Sequence, residues 1–152
     1  MSGVDDKGDN ENDYGIRLFV IADNRVIFRS KGMVDSWYLN LSFFRSSASN
    51  DRTLILAESG DEAGSYGFAV YELSLSQVKA LGYIEAGIQD NPETIQSAVP
   101  FLEITQNTDG YTFTFTRDVT VRDKQTNRYK TVSKQAIKYI YDGKGDLREI
   151  ID

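Results

Sequence analysis

The stretch Tyr111–Arg117, with the sequence YTFTFTR, decides the fold class. Aromatic rings alternate with threonines along it, so an extended backbone would place all the rings on one face and the threonine hydroxyls on the other. Asp109-Gly110 precedes the stretch and has the composition of a tight turn. The pattern predicts a β-strand with one buried face.

Runs of similar β-prone character, separated by turn residues, lie on both sides of this strand. We expect a mostly β domain, an antiparallel sandwich or barrel-like arrangement of about nine or ten strands. The main candidate strands are Ile16–Ile21, Val26–Arg29, Trp37–Phe44, Thr53–Ala57, Tyr66–Leu73, Leu81–Glu85, Pro100–Thr105, Tyr129–Tyr141 and Leu147–Ile151.

One or two short helices are expected among the strands. Asn91-Pro92-Glu93 has the composition of a helix start, with Asn as the cap and Pro at the first helical position, and predicts a helix to about Ala98. Ser74–Ala80 is compatible with a helical turn. Lys134–Ile140 fits a helix or, about as well, part of a strand with one irregularity.

The 152 residues suit one domain with a sizeable core. Residues 1–13 are rich in Asp, Asn and Gly, so we predict a disordered acidic tail followed by a single β-domain over residues 14–152. No run reaches the roughly 18 apolar residues that a membrane-spanning helix needs.

The composition removes several classes of catalytic site. The chain has no His and no Cys, which excludes a Ser-His-Asp triad, thiolate nucleophiles, disulfides and His- or Cys-ligated metals. Glu58 with Asp61 or Glu62 is a conceivable acid–base pair, but nothing in the spacing enforces the separation that such pairs need. The acidic tail does not match a calcium-binding EF-hand loop. We expect a protein that is not an enzyme and that has neither metal nor cofactor.

The net charge of −6 makes a nucleic-acid partner unfavourable, because phosphate backbones repel an acidic protein. Residues 58–103 carry eight acids against Lys79 alone. Basic residues near the C-terminus form either a solvated strand face or a local binding patch; they are Arg122, Lys124, Arg128, Lys130, Lys134 and Lys138.

The most specific segment is Leu54–Tyr71, with the sequence LILAESGDEAGSYGFAVY. Its pattern predicts a strand, a loop over Ser59–Ser65 and a second strand. The two glycines permit tight geometry, and the Ser and Tyr side chains offer directional hydrogen bonds. Trp37 is a second candidate, either as a packing residue or as an exposed binding anchor.

The Ser-Gly and Gly-Ser-Tyr elements of this loop resemble the inhibitory loop of bacterial periplasmic inhibitors of invertebrate-type lysozyme, and of related immunity proteins against secreted cell-wall hydrolases. The matching positions are Ser59, Gly60, Gly64, Ser65 and Tyr66. The resemblance implies that the loop enters the hydrolase cleft and hydrogen-bonds its catalytic carboxylates. Asp61 and Glu62 depart from the pattern, since they would repel such carboxylates unless they point elsewhere or the cleft is surrounded by basic groups.

The resemblance implies a non-enzymatic binding protein, periplasmic or otherwise exported from a bacterial cell behind a leader that this sequence lacks, which inhibits a peptidoglycan hydrolase. The polar start by itself also fits a cytosolic protein with a disordered first segment. Its acidic surface would favour association with a basic enzyme. The alternatives are a glycan- or small-molecule-binding β-domain that uses aromatic surfaces, and a structural or accessory envelope domain. The oligomeric state stays open, because edge strands are able to pair.

Overall fold

The computed structural model describes residues 2–3, 14–33, 35–45, 51–75 and 77–152. Strands dominate these residues, which confirms the predicted mostly β fold. The strands are β1 (Ser2–Gly3), β2 (Arg17–Ala22), β3 (Arg25–Arg29), β4 (Tyr38–Arg45), β5 (Arg52–Asp61), β6 (Gly64–Ser74), β7 (Gln77–Ile84), β8 (Ala86–Asn91), β9 (Thr94–Ser97), β10 (Leu102–Gln106), β11 (Tyr111–Phe115), β12 (Val119–Arg122), β13 (Tyr129–Val132), β14 (Ile137–Tyr141) and β15 (Arg148–Ile151).

The described strands form three sheets. The first has the order β1-β2-β3, the second β10-β11-β14-β15, and the largest β13-β12-β8-β9-β6-β5-β4, with β7 also paired to β6. Neighbouring strands run antiparallel, apart from one short parallel contact of β6 with β9 at Gly64 and Ile95. No sheet closes into a barrel, and the arrangement is sandwich-like.

The β5–β6 hairpin is buried on both of its faces. Leu54 and Leu56 join the main core, to which the β10-β11-β14-β15 sheet contributes Phe113. Ile55 and Ala57 point the other way and pack with Leu18 of β2. Because successive residues of a strand point to opposite faces, the continuous apolar run LILA is the sequence of a strand covered by sheets on both sides.

The strands are more numerous than the sequence suggested, with fifteen in the described residues. The run Tyr129–Tyr141 is two strands, β13 and β14, separated by a turn in which the Ala136 N–H donates to the Ser133 carbonyl at 2.9 Å. Apolar periodicity does not resolve such a break, because residues on both sides of it are apolar. The stretch suggested as a helical turn at Ser74–Ala80 is instead mostly strand, since β6 ends at Ser74 and β7 begins at Gln77.

The predicted helix from Pro92 to about Ala98 is wrong. Asn91 Oδ1 accepts hydrogen bonds from the backbone N–H groups of Glu93 and Thr94, each at 3.0 Å, as a helix cap would. Here those bonds close a turn between β8 and β9 instead. An Asn side chain stabilises both structures through the same contacts, so the local sequence does not distinguish them. The helical element described is a 3₁₀ turn at Val99–Phe101.

Part of the predicted acidic tail lies within the described residues. Ser2 and Gly3 pair with Leu18 and Arg17 of β2. Residues 1 and 4–13 lie outside the described part of the chain. Across the residues that the structure describes, no helix has the length and apolar character needed to cross a membrane.

The central position of β6 predicts a large effect of truncating Phe68, whose side chain is fully buried in the main core. We expect Phe68→Ala to lower the free energy of unfolding by about 3–5 kcal/mol, because it removes apolar contacts and leaves a cavity. Urea unfolding followed by circular dichroism measures the change. The matched control is Leu75→Ala, at a side chain that is 92% exposed, for which we expect less than about 0.5 kcal/mol. Equal effects of the two substitutions would contradict this account.

Candidate functional site

The segment predicted as a loop over Ser59–Ser65 is mostly strand. β5 continues to Asp61 and β6 begins at Gly64, so only Glu62 and Ala63 connect them. Asp61 Oδ1 accepts a hydrogen bond of 2.7 Å from the Ala63 N–H and holds the turn. The feature is therefore a short, internally bonded hairpin end rather than a long loop.

Gly60 and Gly64 are required by close backbone packing. A Cβ on Gly60 would lie 2.1 Å from the Gly64 carbonyl oxygen and 2.4 Å from the Tyr38 hydroxyl. Gly64 has a φ of +123°, and a Cβ there would lie 1.9 Å from the carbonyl oxygen of Ile95 on β9. Any side chain at either position would push these elements apart. The two glycines thus set the shape of the hairpin, as expected, although they do so inside the sheet.

Ser59 and Ser65 are buried rather than displayed at the tip. Ser65 Oγ donates a 2.7 Å hydrogen bond to Glu58 Oε1 and accepts one of 3.1 Å from the Gly67 N–H. Glu58 is itself only 6% exposed, so Ser65 satisfies a buried carboxylate. The Ser65 hydroxyl is directed into the protein.

Tyr38 of β4 lies beside the buried Glu58 and Ser65 side chains. Burial and then the nearby charge of Glu58 raise the pKa of Tyr38, and a hydrogen bond with Ser65 opposes that rise. The tyrosine therefore stays a neutral hydroxyl beside the carboxylate. Glu58, Ser65 and Tyr38 form a support beneath the hairpin end.

Tyr66 lies on the other side of β6 and is half-buried. Its hydroxyl donates a 2.5 Å hydrogen bond to Asp61 Oδ2. This bond to the carboxylate is the main cause that raises the pKa of Tyr66 to about 12. The same bond lowers the pKa of Asp61 below its usual range. The ring is consequently held in one orientation by the turn that it flanks.

A small groove of about 170 Å³ runs beside Tyr66. Tyr129, which is 50% exposed, also lines it. The β8–β9 hairpin contributes Gln89 and Ile95 from its strands and Pro92 and Glu93 from its turn. The sequence did not single out Tyr129, because β13 is brought to this place only by the order of strands in the large sheet.

Trp37 precedes β4 and is 70% exposed. Its backbone N–H donates a 2.8 Å hydrogen bond to the Gly60 carbonyl, which fixes it next to the hairpin. The structure therefore places this tryptophan on the surface and not in the core.

The hairpin end carries exposed negative charge. Glu62 lies at the turn, Glu93 lines the groove, and Asp35 is exposed. The Asp35 carbonyl is within 3.5 Å of the Tyr66 hydroxyl. Exposed aromatic rings and carboxylates are thus gathered at one end of the large sheet.

The three carboxylates that were considered for acid–base chemistry do not form a free pair: two are hydrogen-bonded to other side chains and the third is exposed at the turn. Glu58 is buried against Ser65, Asp61 is bonded to Tyr66, and Glu62 is exposed at the turn. Among the described residues, no group of three or more carboxylates is placed to hold a metal ion.

A second concavity, of about 480 Å³, lies at another place on the surface. Its charged groups are largely paired with one another. Glu72 accepts a 2.6 Å hydrogen bond from the Tyr111 hydroxyl and lies 3.6 Å from the Arg52 guanidinium. Lys79 hydrogen-bonds the Tyr141 hydroxyl. These paired side chains form a hydrogen-bonded network at the edge of the main core, with a structural role.

No protein-family model, no curated protein and no solved structure matches this chain.

The buried Glu58–Ser65 pair predicts a stability effect. Ser65→Ala leaves the Glu58 carboxylate without this hydrogen bond, so we expect a loss of about 1–3 kcal/mol in the free energy of unfolding. Chemical denaturation at neutral pH measures it. Ser42→Ala, at a half-buried serine on β4, is the control and should change stability much less. A neutral effect of Ser65→Ala would mean that the hydroxyl does not support the carboxylate.

The Tyr66–Asp61 bond predicts a titration effect. A carboxyl with a lowered pKa stabilises the fold above its unfolded pKa, and that contribution is lost as the pH falls through the folded value. Tyr66→Phe removes the donor, so the pKa of Asp61 should rise towards its usual range. Carbon-detected NMR titration of the Asp61 carboxyl reads the shift, with Asp123 as an internal control that Tyr66→Phe leaves unchanged. An unaltered Asp61 titration would contradict the bond.

Proposed function

We propose that this chain is a non-enzymatic binding domain whose recognition surface is the hairpin end, and that its partner is a basic peptidoglycan hydrolase of the envelope that it inhibits. The observation that carries the proposal is the Tyr66 ring, held on a rigid two-residue hairpin by the Asp61 carboxylate. Rigid aromatic side chains at a surface lose little conformational entropy on binding and are frequent energetic centres of interfaces.

The contact differs in detail from the one that the lysozyme-inhibitor resemblance implies. The Ser65 hydroxyl is engaged with Glu58, so the groups offered to a partner are Tyr66, Tyr129 and the turn at Glu62. Gly60, Gly64, Ser59 and Ser65 act as the scaffold beneath them. The hairpin end would block the substrate cleft, and this protein would carry out no chemistry.

The charge of the surface supports a basic partner. Exposed carboxylates at Asp35, Glu62 and Glu93 surround the aromatic groove. Such a surface steers a cationic protein towards it and speeds association at low salt. It is poorly suited to entering a site made only of carboxylates, so the complementary groups on the hydrolase would be Lys and Arg at the rim of its cleft.

The test is inhibition of lysis of a peptidoglycan suspension by purified lysozymes of each structural class. Tyr66→Ala and Tyr129→Ala should each weaken inhibition of a susceptible enzyme by about 10-fold or more, since loss of an interface anchor costs more than 1.4 kcal/mol. Leu75→Ala, past the opposite end of β6, should leave inhibition unchanged. Failure to inhibit any lysozyme, or full inhibition by both Tyr variants, would overturn the proposal.

A glycan partner is the second candidate, favoured by the two tyrosines that line the same groove. NMR titration with soluble disaccharide-peptide fragments of peptidoglycan distinguishes the two. Saturable shifts confined to Tyr66, Gln89, Glu93 and Tyr129, in the absence of any hydrolase, would support the glycan. No shifts at millimolar fragment would eliminate it.

A further inference from the structure

The unpaired edge of β4 is a surface feature separate from the groove beside Tyr66. β4 is an edge strand of the large sheet: it pairs with β5 on one side, and no strand of the described residues pairs with its other side. It pairs with β5 in unbroken register from Tyr38 opposite Gly60 to Arg45 opposite Thr53. It contains neither proline nor a bulge, and its one charge is Arg45 at the end.

Natural proteins protect long edge strands with bulges, prolines or inward-facing charges, because a straight edge offers unpaired backbone groups to any other strand. β4 shows none of these devices over its eight residues. It also exposes apolar surface, since Phe43 is 67% exposed and Trp37, just before the strand, is 70% exposed. An edge of this kind is suited to pairing with a further strand.

The distribution of side chains along β4 selects the partner. Trp37, directly before the strand, and Phe43, near its end, lie towards opposite ends of the segment. An antiparallel copy of the same segment brings the Trp37 of one copy level with the Phe43 of the other. In a two-fold pair centred on Asn40, residues whose numbers sum to 80 lie opposite each other. Trp37 then faces the Phe43 of the second copy.

We propose that the chain forms a symmetric dimer by antiparallel pairing of β4 with β4 of a second copy. The pairing joins the two large sheets, removes both exposed edges and buries two cross-strand pairs of Trp37 with Phe43. Aromatic cross-strand pairs stabilise such an interface. The two hairpin turns lie at opposite ends of the joined strands and stay exposed.

Sedimentation equilibrium of the full chain tests the assembly. The expected mass is twice the 17.1 kDa of the monomer. Phe43→Lys should weaken dimerisation at least about 10-fold, because it replaces the buried ring with a charge. Leu75→Lys is the matched control at another exposed apolar residue and should remain dimeric. A monomer at all concentrations, or an unchanged dimer in Phe43→Lys with native circular dichroism, would overturn the proposal.

A single cysteine tests the register. Asn40→Cys gives the chain one thiol on the two-fold axis, and mild oxidation should link two copies; Leu75→Cys should not link them at the same concentration. Equal or preferential linking at Leu75 would contradict the pairing. Inhibition assays are independent of this test, because Asn40 does not line the groove of Tyr66 and Tyr129.

Discussion

The double-sided burial of the β5–β6 hairpin is the constraint on which the rest of the structure depends. Leu54, Leu56, Phe68 and Val70 belong to the main core, while Ile55, Ala57 and Tyr71 belong to the second. Both cores therefore include side chains of the same two strands, although other strands of the large sheet also contribute to the main core. The hairpin end projects from the most constrained part of the molecule, which makes it a rigid place to present a ring.

Much of the fold could be predicted from residue patterns. The alternation in Tyr111–Phe115 gave a correct strand, and the run at Leu54–Ala57 gave a buried one. The number of strands was underestimated because turns within apolar stretches leave no periodic signal. The helix at Asn91–Ala98 was predicted wrongly because an Asn side chain makes the same backbone hydrogen bonds in a hairpin turn as in a helix cap.

The candidate site could be predicted only in outline. Two glycines, a serine and a tyrosine do occur together at one hairpin, and Trp37 does lie beside it. Which side chains face outward depended on strand register. A bulge between Ser59 and Gly60 and the contact of Gly64 with Ile95 turn Ser65 inward. The place of Tyr129 in the groove could not be predicted, because it depends on the long-range pairing of β12 with β8, which carries the β12–β13 hairpin to this site.

The shared hairpin also has a consequence for how the protein unfolds. If either outer sheet detached, it would expose one apolar face of β5 and β6 to water, and so destabilise the strands on which the other sheet rests. The two cores are therefore thermodynamically coupled, so that unfolding of one layer also costs stability in the other. The hairpin closes through a two-residue turn, so its contacts are among the most local in the chain and form at a small loss of chain entropy. Backbone amides of β5 and β6 should accordingly belong to the slowest-exchanging set, which opens only in global unfolding.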